Sequence, residues 1–250
     1  MSSATPTPGP PAVPRWRDAL VATALVVLAA ACSAAGPHQD SNMMSYLALG
    51  DSYTIGEGAP EAGRWPVQLA AALRGEGVAL AEPRIIARTG WTTDELAAAI
   101  DATQPLGHFD FVSLLIGVNN QYRGRDVDEY REQFTALLER SIAFAGGRAE
   151  RVLVLSIPDW GVTPFAAMQY AQQRGRDAAQ IASELDAYNA AARAICAEHG
   201  VAFVDITMVS RTRGGEAAML VDDGLHPSAA MYAQWTALAL PVARTRLAGE

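Results

Sequence analysis

The chain has 250 residues, of which 50% are hydrophobic and 18% are charged, a balance typical of a globular protein with a sizeable buried core. Its formal net charge of −8 excludes an electrostatic attraction to nucleic acid. All 19 basic residues are arginine, and the lack of lysine excludes Schiff-base chemistry, a lysine general base and a phosphate-loop lysine.

Residues 1–32 have the pattern of a secretory signal peptide. A basic flank precedes an uncharged apolar run of about 13 residues, which is too short to span a membrane. The run ends at Cys32 in Leu-Ala-Ala-Ala-Cys, which resembles the lipobox of bacterial lipoproteins, where the cysteine is lipidated. We therefore expect an exported protein, either free in the periplasm or anchored to a membrane through a lipid on Cys32. Residues 33–45 would then form a tether between the membrane and the domain. The alternative is a cytoplasmic protein whose translation starts at Met43 or Met44.

From residue 46 to residue 250, short apolar runs alternate with longer helical patterns, and no internal repeat or linker divides them. This alternation predicts a single α/β domain with a mostly parallel sheet that is covered on both faces. The predicted strands are Tyr46–Gly50, Arg84–Ala87, Phe111–Gly117, Val152–Ile157 and Val201–Asp205. The predicted helices are Pro66–Arg74, Thr93–Ala102, Asp126–Phe144, Ala178–His199 and Ser228–Leu247.

Residues suited to catalysis follow the ends of the predicted strands. Ser52 comes directly after the first strand, Gly90 after the second and Asn119 after the third. The carboxyl ends of the strands in an open α/β sheet meet at one edge, where such sheets bind their ligands. Each of these residues alone is also an ordinary turn residue, so only their common placement indicates a site.

An acid and a histidine lie close together near the end of the chain, in Asp223-Gly224-Leu225-His226-Pro227. A serine hydroxyl needs a base that takes its proton, and a histidine base works best when an acid orients its ring. Ser52, His226 and Asp223 are therefore candidates for nucleophile, base and orienting acid. The alternative is that Asp223 shapes a turn against which His226 packs. The backbone N–H of Gly90 and the amide of Asn119 suit the role of oxyanion donors.

Taken in order, four segments resemble the four sequence blocks of the GDSL, or SGNH, hydrolase family. They are Gly50-Asp51-Ser52, Gly90, Gly117-Val118-Asn119 and Asp223-Gly224-Leu225-His226. The resemblance extends over essentially the whole predicted domain. It implies a flavodoxin-like, three-layer α/β/α sandwich with about five parallel strands and neither a metal nor an organic cofactor. The chain has only two cysteines and lacks the Cys/His spacing of a zinc site, which agrees with that expectation.

The same resemblance implies a role for each matching residue. Ser52 is the expected nucleophile, His226 the base and Asp223 its orienting acid, while Ser52, Gly90 and Asn119 are expected to form the oxyanion hole. Two positions depart from the family pattern. Tyr53 stands where the family often has leucine, and Asn120 stands where it often has aspartate.

These features predict a serine hydrolase of acyl esters, with lysophospholipids and acyl thioesters as further candidate substrates. Aromatic residues and a methionine after the fourth strand either line an acyl pocket or pack in the core or a lid: Trp160, Phe165, Met168 and Tyr170. Two alternatives remain open, a carbohydrate O-deacetylase of the same family and a catalytically silent envelope lipoprotein that binds an acyl or glycan ligand. The sequence leaves the oligomeric state open.

Overall fold

The computed structural model describes residues 43–171 and 176–248. The predicted signal peptide and Cys32, its candidate lipidation site, lie outside the described residues, as does most of the predicted tether. Within the described ranges, no helix is both long and apolar enough to cross a membrane.

The last residues of the predicted tether are bonded to the folded domain. The N–H of Met44 donates to the carbonyl oxygen of Ala79 at 2.7 Å. The N–H of Ser45 donates to Oδ2 of Asp110 at 2.7 Å, and the Ser45 hydroxyl donates to the same oxygen at 2.8 Å. The chain is therefore fixed to the domain two residues before the first strand begins.

One sheet of five parallel strands forms the centre of the described domain, in the order β2-β1-β3-β4-β5. The strands are β1 (Tyr46–Asp51), β2 (Arg84–Arg88), β3 (Phe111–Leu115), β4 (Val152–Leu155) and β5 (Ala202–Val204). Every residue of β1, β3 and β4 is buried, as expected for strands that are covered on both faces. The strand order is that of flavodoxin-like folds, and the predicted α/β class is confirmed.

Strands β3 and β4 each end two residues earlier than predicted, because side chains bond to the backbone groups that a longer ladder needs. The N–H of Ile157 donates to Oδ1 of Asn189 at 2.8 Å, and the Ile157 carbonyl accepts from Nδ2 of Asn189 at 3.0 Å. The Ile116 carbonyl similarly accepts from the hydroxyl of Tyr130. Ile116 and Ile157 are therefore buried apolar residues that lie beyond the ends of β3 and β4.

The helices pack on the two faces of the sheet. In the described residues they are α1 (Ser52–Ile55), α2 (Trp65–Gly75), α3 (Thr93–Ala102), α4 (Val118–Tyr122), α5 (Val127–Phe144), α6 (Pro164–Ala171), α7 (Ala178–Glu198), α8 (Thr207–Arg213) and α9 (Ala229–Leu247). Helix α2 packs against α9 in one layer, and α5 packs against α3 and α7 in the other. The five long helices match the predicted ones, whereas α1, α4, α6 and α8 were not predicted.

The topology of the sheet determines where a ligand can bind. From β1 the chain crosses to β2 on one side, and from β2 it crosses to β3 on the other side of β1. The connections therefore diverge between β1 and β3. Parallel sheets form a crevice at such a topological switch point, beyond the carboxyl ends of the two strands. The short helices α1 and α4 begin there, α1 directly after β1 and α4 three residues after the end of β3.

Candidate active site

The turn between β1 and α1 brings Ser52 to this crevice. Gly50 lies so close to the carbonyl of Leu115 and the side chain of Thr54 that a Cβ atom would overlap both. Asp51 caps the short helix, because its Oδ1 accepts from the N–H of Tyr53 at 3.0 Å. Ser52 is the first residue of α1. Its position is fixed by the close packing of Gly50 before it and by the Asp51 cap of the helix.

A tight hairpin before α9 carries the candidate base. The N–H of Val221 donates to the carbonyl of His226 at 2.9 Å, which closes the hairpin. Within it, Nδ1 of His226 lies 2.5 Å from Oδ2 of Asp223. The other carboxylate oxygen, Oδ1, accepts from the N–H groups of Leu225 at 2.8 Å and of His226 at 2.9 Å. Asp223 therefore holds both the backbone and the ring of His226.

The environment of Asp223 favours its charged form. Desolvation raises the pKa of its carboxyl, but hydrogen bonds from the His226 ring and from the two N–H groups outweigh that effect. The net result is a pKa below the ordinary value. The carboxylate can therefore stabilise a positive charge on the imidazole, the arrangement that a histidine base requires.

The candidate oxyanion donors come from the loop after β2 and from α4. Gly90 has a φ of 87°, a conformation that side chains rarely adopt, so glycine suits this turn. The side chain of Asn119 donates one amide hydrogen to the carbonyl of Trp91 at 2.9 Å. An amide nitrogen carries two hydrogens, so this bond anchors Asn119 and leaves the second for a ligand.

A cleft of about 180 Å³ joins these residues. Ser52, Gly90, Asn119 and His226 all line it, and Asp223 lies behind His226. Only 4% of the surface of Ser52 and 7% of that of His226 is exposed, so ligands reach both residues through the cleft. The structure thus brings together the five predicted site residues of the domain, while their roles remain predictions.

Three aromatic rings form a wall of the cleft. The ring of Trp160 lies edge-on to Tyr122 at 5.3 Å and to Phe165 at 6.4 Å. Nε1 of Trp160 donates to Oε1 of Gln121 at 2.8 Å, which fixes the indole. Trp160 and Phe165 line the cleft, in agreement with the prediction that these residues form part of a pocket. Met168, in contrast, is 55% exposed, and the side chain of Tyr170 is outside the described set.

Tyr53, the first departure from the family pattern, packs beside the candidate base. Its ring centroid lies 5.6 Å from that of His226 and 6.0 Å from that of Trp235, both in tilted geometry. Only 3% of its surface is exposed. Tyr53 therefore fills the space between the imidazole and α9, at the inner side of the cleft.

Asn120, the second departure, is fully buried in a hydrogen-bond network with Thr93. Its Oδ1 accepts from the N–H of Thr93 at 3.1 Å, and its Nδ2 donates to the Thr93 hydroxyl at 2.7 Å. That hydroxyl in turn donates to Oε1 of Gln133. An ionised aspartate has no hydrogen to donate to the hydroxyl, so the amide suits the arrangement in which the Thr93 hydroxyl donates to Gln133.

Asp51 is a buried carboxyl group directly beside the candidate nucleophile. Desolvation raises its pKa from 3.8 to about 7, and the hydrogen bond from the N–H of Tyr53 offsets only part of that rise. The folded state therefore keeps a proton that the unfolded chain has lost. The contribution of Asp51 to the free energy of unfolding consequently falls as the pH rises from about 4 to about 7.

We expect the substitution Asp51→Asn to remove this part of the pH dependence. The asparagine oxygen still accepts from the N–H of Tyr53, but the side chain no longer titrates. The variant should match the wild type near pH 4 and exceed its free energy of unfolding by about 2–4 kcal/mol at pH 8. Urea denaturation at both pH values measures the difference, and a variant that is less stable than the wild type at pH 8 contradicts the expectation.

Other chemistry finds little support in the described part of the chain. Its His, Cys, Asp and Glu side chains contain no group of three or more that could hold a metal ion. Cys196 is a free, buried cysteine, and burial raises the pKa of its thiol to about 12, so it is a poor nucleophile.

Sequence reasoning missed two residues that support the site. Gln121 anchors Trp160, and Arg123 donates from Nη2 to the carbonyl of Gly90 at 2.6 Å. Both follow Asn119 within or just beyond the five-residue helix α4. The only sequence signal for these two residues was their short distance from Asn119. A helix of five residues is too short to show the periodic pattern from which helices are predicted.

Comparison with known proteins gives a consistent result. Residues 48–234 match the model of the GDSL-like lipase/acylhydrolase family. No sequence among the curated proteins is a significant match to this chain.

Solved structures of similar fold share little sequence with the chain. TesA aligns with a TM-score of 0.60 and 20% identity, covering 82% of this chain and 100% of TesA. A lipase/acylhydrolase from Enterococcus faecalis aligns with a TM-score of 0.59 and 21% identity, covering 82% and 97%. An acetyl xylan esterase from Geobacillus stearothermophilus aligns with a TM-score of 0.58 and 19% identity, covering 80% and 94%. At these identities the likeness establishes the fold alone.

Proposed function

Because the chain belongs to the GDSL-like lipase/acylhydrolase family and is thus a hydrolase of ester bonds, we propose that it cleaves short-chain carboxylic esters through Ser52, His226 and Asp223. The observation that carries this proposal is the 2.5 Å contact between Asp223 and Nδ1 of His226, at a cleft that Ser52 also lines. The contact leaves Nε2 as the ring nitrogen that is free to act on the serine.

In the acylation step, Oγ of Ser52 attacks the ester carbonyl while Nε2 of His226 takes the hydroxyl proton. The carbonyl oxygen becomes negatively charged, and the N–H groups of Ser52 and Gly90 and the amide of Asn119 stabilise it. The tetrahedral intermediate then collapses. The bond to the alcohol oxygen breaks, and His226 returns the proton to that oxygen, which leaves an acyl group on Ser52.

In the deacylation step, water replaces the alcohol. His226 takes a proton from the water as it attacks the acyl carbonyl, and the same donors stabilise the second oxyanion. Collapse releases the carboxylic acid, and the proton returns to Oγ of Ser52. Throughout the cycle Asp223 stabilises the imidazolium, and the reacting groups are those of this chain, the ester and one water molecule.

The size of the cleft supports a short acyl chain. Sites for drug-sized ligands commonly measure about 300–1,000 Å³, whereas this cleft measures about 180 Å³. The wall of Trp160 and Phe165 is held by the bond from Trp160 to Gln121, so it resists the entry of a longer chain.

Hydrolysis of p-nitrophenyl esters from acetate to palmitate tests the proposal. Turnover should be highest for the shortest acyl chains of the series and should disappear in Ser52→Ala. Phe165→Ala removes part of the wall and should shift the preference towards longer chains by two or more carbons. Met168→Ala is the matched control, because Met168 lies on the same helix with 55% of its surface exposed. It should leave the profile unchanged.

Other outcomes select other substrates. Maximal turnover of palmitate or of lysophospholipids would overturn the short-chain proposal while keeping the serine mechanism. Turnover of acetylated sugars alone would indicate a carbohydrate O-deacetylase. A wild-type protein that hydrolyses no ester or thioester would indicate a binding protein instead.

We also propose export with lipidation at Cys32, on the basis of the sequence of residues 1–32 alone. Expression of the full chain in a bacterial host should give a membrane-bound protein whose N-terminal peptide begins at a diacylated Cys32. A soluble protein whose N-terminus is Met43 or Met44 contradicts this proposal and supports the cytoplasmic alternative.

A further inference from the structure

Helix α4 and the residue after it bind the main chain of the loop after β2. Asn119 donates to the carbonyl of Trp91 at 2.9 Å, and Asn120 accepts from the N–H of Thr93 at 3.1 Å. Arg123 donates from Nη2 to the carbonyl of Gly90 at 2.6 Å. Three side chains from one short segment therefore fix successive peptide groups of the loop that carries the Gly90 N–H.

Arg123 differs from the two asparagines because it is itself held by an acid in the first turn of α3. Its Nη1 donates to Oε1 of Glu95 at 3.0 Å and its Nη2 to Oε2 at 3.1 Å. Oε2 of Glu95 also accepts from the N–H of Thr92 at 2.9 Å, which closes the first turn of α3. Hydrogen bonding from Arg123 is the largest of the causes that lower the pKa of Glu95. The guanidinium thus links the start of α3 to the peptide of Gly90.

We propose that Arg123 is a positioning residue of the oxyanion hole, which holds Gly90 so that its N–H faces the oxygen of the tetrahedral intermediate. The inference rests on the function proposed above. Arg123 acts through the carbonyl of Gly90 and touches neither the substrate nor the reacting atoms.

The conformational freedom of Gly90 explains why the loop needs the hydrogen bond from Arg123. Glycine has the widest conformational freedom of any residue, and a Cβ at Gly90 would meet only the guanidinium of Arg123, at 3.9 Å. Side-chain packing therefore does little to hold this residue in place, and the hydrogen bond from Arg123 supplies the constraint. Oxyanion donors work only when they are aimed in advance at the charge that develops.

Arg123→Met tests the proposal, because methionine keeps an apolar stem and removes the donors. Arg125→Met is the matched control. Arg125 binds the other acid in the first turn of α3, with Nη1 lying 2.6 Å from Oδ1 of Asp94, and its second pairing is with Glu129. Both substitutions remove an arginine and an ion pair from the same region, but only Arg123 is bonded to Gly90.

We expect Arg123→Met to lower kcat about 10- to 100-fold with KM changed less than twofold, since a loosened donor acts mainly in the transition state. Arg123→Lys, which keeps one donor group and the charge, should recover part of the loss. A trifluoromethyl ketone, whose adduct with serine carries a negative oxygen, should bind Arg123→Met more weakly by the same factor. Arg125→Met should leave all three quantities within twofold of the wild type.

The outcomes separate this inference from the proposed function. If the wild type shows no turnover that depends on Ser52, the proposed function fails. If turnover depends on Ser52 but Arg123→Met keeps the wild-type kcat, or if both arginine variants lose kcat equally, the positioning role of Arg123 is overturned. A loss confined to KM overturns it as well, because it would place Arg123 in substrate binding.

Discussion

Replacement of Ser52 or His226 by alanine is expected to lower kcat by about 10⁵- to 10⁶-fold, and the double variant should lose no more than either single one. The two residues act as one unit, because the serine attacks only while the histidine takes its proton. Once one is missing, the other has no function left to lose. Single-turnover and steady-state assays with a p-nitrophenyl ester measure the three losses.

His199→Ala is the matched control for the histidine. His199 lies at the end of α7, where its Nδ1 is 2.9 Å from the carbonyl of Ile195, and it should be dispensable for turnover. Losses that add up on a logarithmic scale in the double variant would contradict a joint role for Ser52 and His226. Retention of activity in either single variant would contradict the mechanism itself.

Asp223→Asn is expected to lower kcat about 10³- to 10⁴-fold while leaving the fold intact. The asparagine oxygen can keep the hydrogen bonds from the N–H groups of Leu225 and His226, so the hairpin should persist. The amide nitrogen then faces Nδ1 of His226 and forces it to accept a hydrogen bond. The ring proton moves to Nε2, which can no longer take the proton of Ser52.

Asp222→Asn provides the control, because Asp222 is the exposed neighbour of Asp223 in the same hairpin. It should keep kcat within twofold of the wild type. Thermal unfolding of both variants should occur within a few degrees of the wild type. An equal loss of kcat in Asp222→Asn and Asp223→Asn would contradict the role of the contact between Asp223 and His226. It would show that kcat depends on the negative charge of the hairpin.

The long elements were predictable from the sequence because burial imposes a period on them. Helix α3, for example, was predicted with the bounds that it has. The four short helices were missed because each has only four to eight residues. Such elements show no clear period and depend on tertiary contacts, such as the bond from Asn119 of α4 to the carbonyl of Trp91. Three of them, α1, α4 and α6, line the cleft, so much of the wall of the site belongs to elements that the sequence does not predict.

The candidate site was predictable where it depends on residue type at strand ends and on the resemblance to a family. Ser52, Gly90 and Asn119 follow three different strands, and parallel strands place their carboxyl ends at one edge. The contributions of Arg123 and Gln121 were not predictable, because each bonds to a partner that lies 33 or more residues away in sequence. The amide at position 120 looked like a departure from the family, and its reason appeared only with Thr93 and its neighbours in place.

The most direct test of the mechanism is the intact mass of the protein after reaction with an alkyl fluorophosphonate, followed by peptide mapping. The reagent bonds its phosphorus to an activated serine oxygen and releases fluoride. The wild type should gain one phosphonyl group, located on Ser52 in the tryptic peptide that ends at Arg64, and Ser52→Ala and His226→Ala should gain none. A wild-type protein that stays unmodified, or one that is modified equally after Ser52→Ala, would contradict the assignment of Ser52 as the nucleophile.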